Sequence, residues 1–148
     1  MLYLWFNFLE MILGHPDYIF ELPMKVRDYE VDAEGIVNNA NYLHYLEHTR
    51  HEFCEWAGMT FREMHSRGVD PVLSRIEVEY RKPLGLGDRM VSKLAVGRRG
   101  PLFVFYQDIY NVDGDLVVKA RVEVATLVDG RLSRGEVLFS QFEKYLAQ

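Results

Sequence analysis

The pattern of apolar periodicity along this chain predicts an α+β domain in which an antiparallel sheet of about five strands wraps around one long central helix. Two observations carry this. A single stretch, residues 41–56, repeats its apolar residues with a helical period, whereas nearly everything after Gly68 alternates or runs in the manner of strands. Two Asp-Gly dipeptides, Asp113-Gly114 and Asp129-Gly130, punctuate those later runs as hairpin turns do. One amphipathic helix followed by a meander of strands has to bury its stripe against that sheet.

In chain order, residues 18–26 read as a first strand, with Pro23 marking an edge or a bulge. A polar, Gly-containing loop over residues 27–39 leads into the helix, where Tyr42, Leu43, Leu46, Phe53 and Ala57 are expected on the buried face and Gly58 as the stop. A second short helix is expected around residues 61–67. Residues 72–80 alternate, with Val72, Ser74, Ile76, Val78 and Tyr80 on one face and Leu73, Arg75, Glu77 and Glu79 on the other. Further strands are expected over 89–96, 102–112 and 116–128, with residues 97–101 as a turn. Residues 135–147 close the chain as a short amphipathic segment.

The chain has 148 residues, 49% of them hydrophobic, which suits one domain with a sizeable core. We divide it into an apolar N-terminal extension, residues 1–17, and a single domain, residues 18–148. Residues 2–13 form an apolar run of about 12, short of the roughly 20 that span a bilayer. No Lys or Arg precedes Lys25, so a secretory leader is not expected either. The extension reads as a short helix laid on a neighbouring surface, or as the product of an upstream start, with Met11 or Met24 as alternative starts. A formal charge of -5, from 17 basic and 22 acidic residues, argues against nucleic acid as a partner. The one cysteine, Cys54, closes no intramolecular disulfide and fits a cytoplasmic protein.

Chemistry concentrates in residues 26–42, where a loop rich in carboxylates feeds directly into the helix start. A helix N-terminus offers unpaired N–H groups and partial positive charge, which suit a developing oxyanion. One such donor is worth roughly 3 to 4 kcal/mol in an acyl-transfer transition state. Asp32 lies a few residues before the helix, within reach of the same volume as a base or nucleophile. Gly35 allows the backbone close to a ligand. The plainer alternative is that Asp28, Asp32 and Asn41 serve only as caps and loop formers.

Asp-x-x-Gly-Ile-Val-x-x-Ala-Asn-Tyr from Asp32 to Tyr42, followed by Glu47-x-x-Arg50-x-Glu52, resembles the signature of the hotdog-fold 4-hydroxybenzoyl-CoA thioesterase family. Val-Arg-Asp-Tyr-Glu at 26–30, Val-Asn-Asn-Ala at 37–40 and Arg-His-Glu-Phe at 50–53 resemble plant acyl-lipid thioesterases and their bacterial relatives more closely still. The resemblance runs from about residue 19 to residue 130. It implies hydrolysis of acyl-CoA or acyl carrier protein thioesters, with no cofactor and no metal. Asp32 would then act as general base or nucleophile and the Asn39 N–H as oxyanion donor. It further implies a substrate wall of Gly35, Ile36, Val37 and Asn38, and a working homodimer or dimer of dimers. Ser74 matches a polar position facing the partner's site, and Arg98-Arg99 an arginine pair that grips nucleotide phosphates. Asn39 stands where Tyr or His is common, a departure the backbone role tolerates. A non-catalytic acyl-thioester binding module is the alternative; a hotdog dehydratase would need a His-plus-acid arrangement that is missing near the helix start.

Three further features carry expectations. His44, His48 and His51 share one helical face, but with Glu47 and Glu55 beside them they read as a solvated or subunit-contact face. Arg50 falls within the apolar stripe and is expected to pair with a loop carboxylate such as Asp28. Nothing in the sequence sets a base beside Cys54.

Overall fold

A computed structural model of the chain describes residues 14–146, so the N-terminal apolar run, residues 2–13, lies outside the described residues. The elements are β1 (Phe20–Lys25), a 3-10 turn (Asp28–Glu30), α1 (Asn39–Trp56), α2 (Phe61–Ser66), β2 (Val69–Tyr80), β3 (Arg89–Arg99), β4 (Leu102–Asn111), β5 (Leu116–Val128), β6 (Arg131–Leu132), α3 (Glu136–Gln141) and a closing 3-10 turn (Glu143–Tyr145). The strands form one antiparallel sheet in the order β1-β3-β4-β5-β2, with β6 added to β5. The expected α+β architecture is therefore present, and its one long helix lies across the sheet.

The buried face of α1 differs from the expected stripe by a rotation. Tyr42, Tyr45, Leu46, Thr49, Phe53 and Cys54 are buried, whereas Leu43 stays 38% exposed. Counting in steps of three and four from Tyr42 reaches 45, 46, 49 and 53, and Leu43 lies a further 100° round. The polar Thr49 belongs in this stripe because its Oγ1 bonds the Tyr45 carbonyl at 2.7 Å and Ser92 Oγ of β3 at 2.8 Å. The second half of α1 packs Phe53 against Leu94, Val96, Phe105 and Val122 of the sheet and against Phe142 beyond α3. Its first half packs Tyr42, Tyr45 and Leu46 against Met90, Ile109 and Val118, together with Val26, Val37 and Leu84.

Arg50 corrects a second expectation. Its guanidinium donates to Gln107 Oε1 of β4 at 2.9 Å, and Gln107, fully buried, donates in turn to the Leu46 carbonyl. Asp28 is exposed and accepts from its neighbour, the Tyr29 N–H. A residue on the sheet-facing stripe meets the sheet, not the entry loop, and burial there holds the Arg50 pKa below its ordinary value.

β2 is broken by a bulge between Leu73 and Arg75, so Ser74 opposes no residue of β5. One inserted residue reverses the alternation. Leu73, although 56% exposed, lines the same apolar cavity as Phe53, on the side where Ile76 and Val78 pack. Strict alternation had put Leu73 on the opposite face from Ile76. At the other turns, β3 continues through Arg99, which pairs with Leu102, so the connection is Gly100-Pro101 alone. Asp129 and Gly130, with φ of 49° and 77°, make the tight hairpin their sequence announced.

Phe53 is 1% exposed and meets Phe20, Trp56, Phe105, Phe142 and Tyr145 ring to ring. Replacing it by Ala is expected to lower unfolding free energy by roughly 3 to 5 kcal/mol. Denaturant unfolding measures this. A loss no larger than that of an exposed substitution would show that the helix is not held through this cluster.

Candidate active site

The loop before α1 closes on itself around Asp32. The Gly35 N–H donates to the Asp32 carbonyl at 3.0 Å, and the Asp32 N–H to the Ile36 carbonyl at 2.8 Å. Gly35 makes this turn with φ of 78°, and a Cβ there would meet nothing within 4 Å. That conformation by itself favours glycine at this position. Asp32 is half-buried. Its Oδ1 accepts the Glu34 N–H at 2.9 Å and the Ile36 N–H at 3.4 Å, while Oδ2 takes no hydrogen bond from the described residues.

The loop is stapled to the β2–β3 connection. The Val37 N–H donates to the Leu84 carbonyl at 2.8 Å, Ile36 bridges Gly85, and the Leu84 N–H donates to Tyr42 Oη at 3.1 Å. Leu84 and Val37 are themselves buried in the core. Helix α1 then begins. Asn38 is its N-cap, accepting the Ala40 N–H on Oδ1 at 2.9 Å, and the Asn41 N–H reaches the Asn38 carbonyl at the same distance. The Asn39 N–H, at the first helical position, has no partner among the described residues.

Asp32, Ile36, Val37, Asn38 and Asn39 line one open cleft of about 360 Å³, completed by Tyr42, Tyr80, Arg81, Lys82 and Pro83. Sequence reasoning missed these last five. Tyr42 was legible only as a core residue, and the β2 end meets the loop through the fold. Tyr80 Oη donates to the Asn39 carbonyl at 3.1 Å, Arg81 pairs with Glu79 at 3.0 Å and Lys82 with Asp115 at 2.8 Å.

Ser74, Arg98 and Arg99 lie elsewhere. Ser74 is exposed at the bulge, about 20 Å along β2 from Tyr80 at ordinary strand rise. Arg98 and Arg99 leave the far end of β3 on opposite faces. Arg98 stacks 3.8 Å from the Phe139 ring centroid, and Arg99 pairs at 3.1 Å with the buried Glu123. Within one protomer they do not converge on a phosphate. The helix histidines pair loosely along α1, His48 with Glu52 and His51 with Glu47, both at 3.9 Å. No group of three metal-ligating side chains occurs among the described residues. No helix there is long and apolar enough to cross a membrane.

A curled antiparallel sheet around one helix, with an acid-bearing cleft at the helix start, defines a hotdog-fold protein of the thioesterase kind. Residues 26–134 match the model of the thioesterase-like superfamily, and the chain belongs to that family. Among curated proteins it is 36% identical to the acyl-acyl carrier protein thioesterase ATL3 of Arabidopsis thaliana over 58% of this chain and 45% of that one. It is 29% identical to the acyl-CoA thioester hydrolase YbgC of Escherichia coli over 72% of this chain and 80% of that one. The crystal structure of a hypothetical protein from Aquifex aeolicus superposes with a TM-score of 0.77 at 29% identity, covering 83% of this chain and 98% of that one. The chain spans about half the length of the first curated relatives it matches.

A second, apolar cavity of about 120 Å³ lies between α1 and the sheet, walled by Phe53, Phe61, Met64, Leu73 and Phe103, with Arg50 and Cys54 beside them. Burial pushes the Cys54 thiol up to about 12. The thiol therefore stays protonated, and unreactive, across the neutral range. Its contribution to stability is complete below the ordinary thiol value and is lost as pH rises toward 12. Iodoacetamide at neutral pH is expected to leave the folded protein unlabelled and to label Cys54 only after unfolding; mass spectrometry reads the difference. Rapid labelling of the native chain would contradict the burial.

Proposed function

We propose that this protein hydrolyses acyl thioesters carried on a phosphopantetheine arm, coenzyme A or acyl carrier protein, to a free acid and a thiol. The observation that carries the reading is the presence, on one cleft, of an Asp32 carboxylate oxygen and an Asn39 N–H that have no hydrogen-bond partner among the described residues. Asp32 takes a proton from water as the water oxygen adds to the thioester carbonyl; in the alternative route Asp32 itself adds to the carbonyl, and water then hydrolyses the acyl-Asp32 anhydride left by thiolate loss to the free acid. The oxyanion that forms accepts from the Asn39 N–H, whose donation strengthens as charge develops. Collapse of the adduct expels the thiolate, which takes up a proton. Ile36, Val37 and Asn38 shape the wall beside the reacting group. Family membership and relatives carrying thioesterase names support this reading.

We further propose that two copies pair through β2. It is an edge strand of 12 residues, with Val72, Leu73 and Tyr80 exposed at 37%, 56% and 48%. An edge that long and that apolar is normally covered. Antiparallel pairing would turn the partner's far strand ends, which carry Arg98 and Arg99, toward the cleft and set Ser74 near the symmetry axis. Sedimentation analysis should find a dimer or a dimer of dimers, and a monomer at working concentration would refute the pairing.

Asp32→Asn is expected to keep the fold and to cut thiol release by roughly 10²- to 10⁴-fold. The assay is thiol release from a panel of acyl chain lengths on matched coenzyme A and carrier-protein substrates. A variant as active as the parent would sink the assignment of Asp32. Tight binding of acyl thioesters by the parent without turnover would make it a binding module instead.

A further inference from the structure

Glu30 plays no part in the chemistry above, yet it is among the few charged residues the fold buries, at 6% exposure. A buried carboxylate is costly unless it is paired and hydrogen-bonded. Its Oε2 accepts the Arg27 N–H at 2.8 Å and the Tyr45 hydroxyl at 2.6 Å, and its Oε1 lies 3.2 Å from Arg27 Nε. Its backbone carbonyl accepts two more donors, the Asn38 N–H at 3.1 Å and Asn41 Nδ2 at 2.8 Å. Tyr45, Asn41 and Asn38 all belong to α1 or its cap. One residue thus holds the first two turns of the helix through both its side chain and its main chain.

We propose that Glu30 is a positioning residue that locks the Asp32 loop to the start of α1 and so sets the separation between the Asp32 carboxylate and the Asn39 N–H. Glu30 precedes Asp32 by two residues, and its Asn38 partner immediately precedes Asn39. The two halves of the cleft are therefore referenced to one anchor. Glu30 is absent from the cleft wall, and both its carboxylate oxygens are engaged, so it is not the attacking group. Burial and the Glu30 contact raise the Tyr45 pKa, which keeps that phenol a donor throughout the neutral range.

This inference rests on the thioesterase reading, and the test separates the two. Tyr45→Phe and Glu30→Gln are assayed in the full chain by thiol release from an acyl-CoA, with thermal unfolding followed in parallel. Misplacement by an ångström costs up to about 100-fold, so each variant is expected to lose roughly 10- to 100-fold in kcat with KM little changed. Tyr45→Phe removes one hydroxyl and keeps the ring, so it decides the matter if Glu30→Gln fails to fold. Unaltered kcat in folded variants overturns the inference alone. A parent without thiol release overturns the functional reading and the inference with it.

Discussion

The structure depends on the burial of one face of one helix against one sheet. Because α1 is the only long helix among the described residues, its stripe must supply most of what covers the inner face of the strands, from Tyr42 at one end to Phe53 at the other. Polar ties at Thr49, Arg50 and Gln107 fix the helix in rotation and register where apolar contact alone would let it slide. The position of the helix N-terminus follows from that fixing. The cleft is thus an outcome of core packing rather than an addition to it.

What the packing leaves open at that terminus has chemical value. The end of a helix has more donors than acceptors. Here Asn38 satisfies the Ala40 N–H through its side chain and the Asn41 N–H through its carbonyl, and the Asn39 N–H has no partner among the described residues. The loop likewise satisfies only one oxygen of Asp32. Both residues line a cleft that the buried Val37 and Tyr42 also line. The buried Glu30 adds a second order of control, because its contacts span the loop and the helix that carry the two residues.

Much of this was readable before any fold was known. The period of 3.6 marked the helix, and the strand runs and Asp-Gly turns marked the sheet. The crowding of Asp32, Asn38 and Asn39 into one loop and helix start marked the candidate site, which the fold brings together on one cleft. Where the reading failed, a single local fact was hidden. The bulge at Ser74 reverses β2 because one residue is unpaired, and hydrophobicity does not record an insertion. Leu43 looks like a core residue, and Thr49 does not, until the helix is rotated against a real surface. Arg50 was matched to a carboxylate by charge, whereas its neighbour in space is an amide 57 positions away.

By itself the amino-acid sequence determined the elements, their order and the residues able to do chemistry, since those follow from short-range periodicity, turn geometry and side-chain type. Only the tertiary structure decided which groups are left without partners. That quantity depends on contacts between segments far apart in the chain, such as Tyr80 with Asn39, Leu84 with Val37 and Tyr45 with Glu30. Local sequence patterns carry no information about a hydrogen bond that a distant strand has already satisfied.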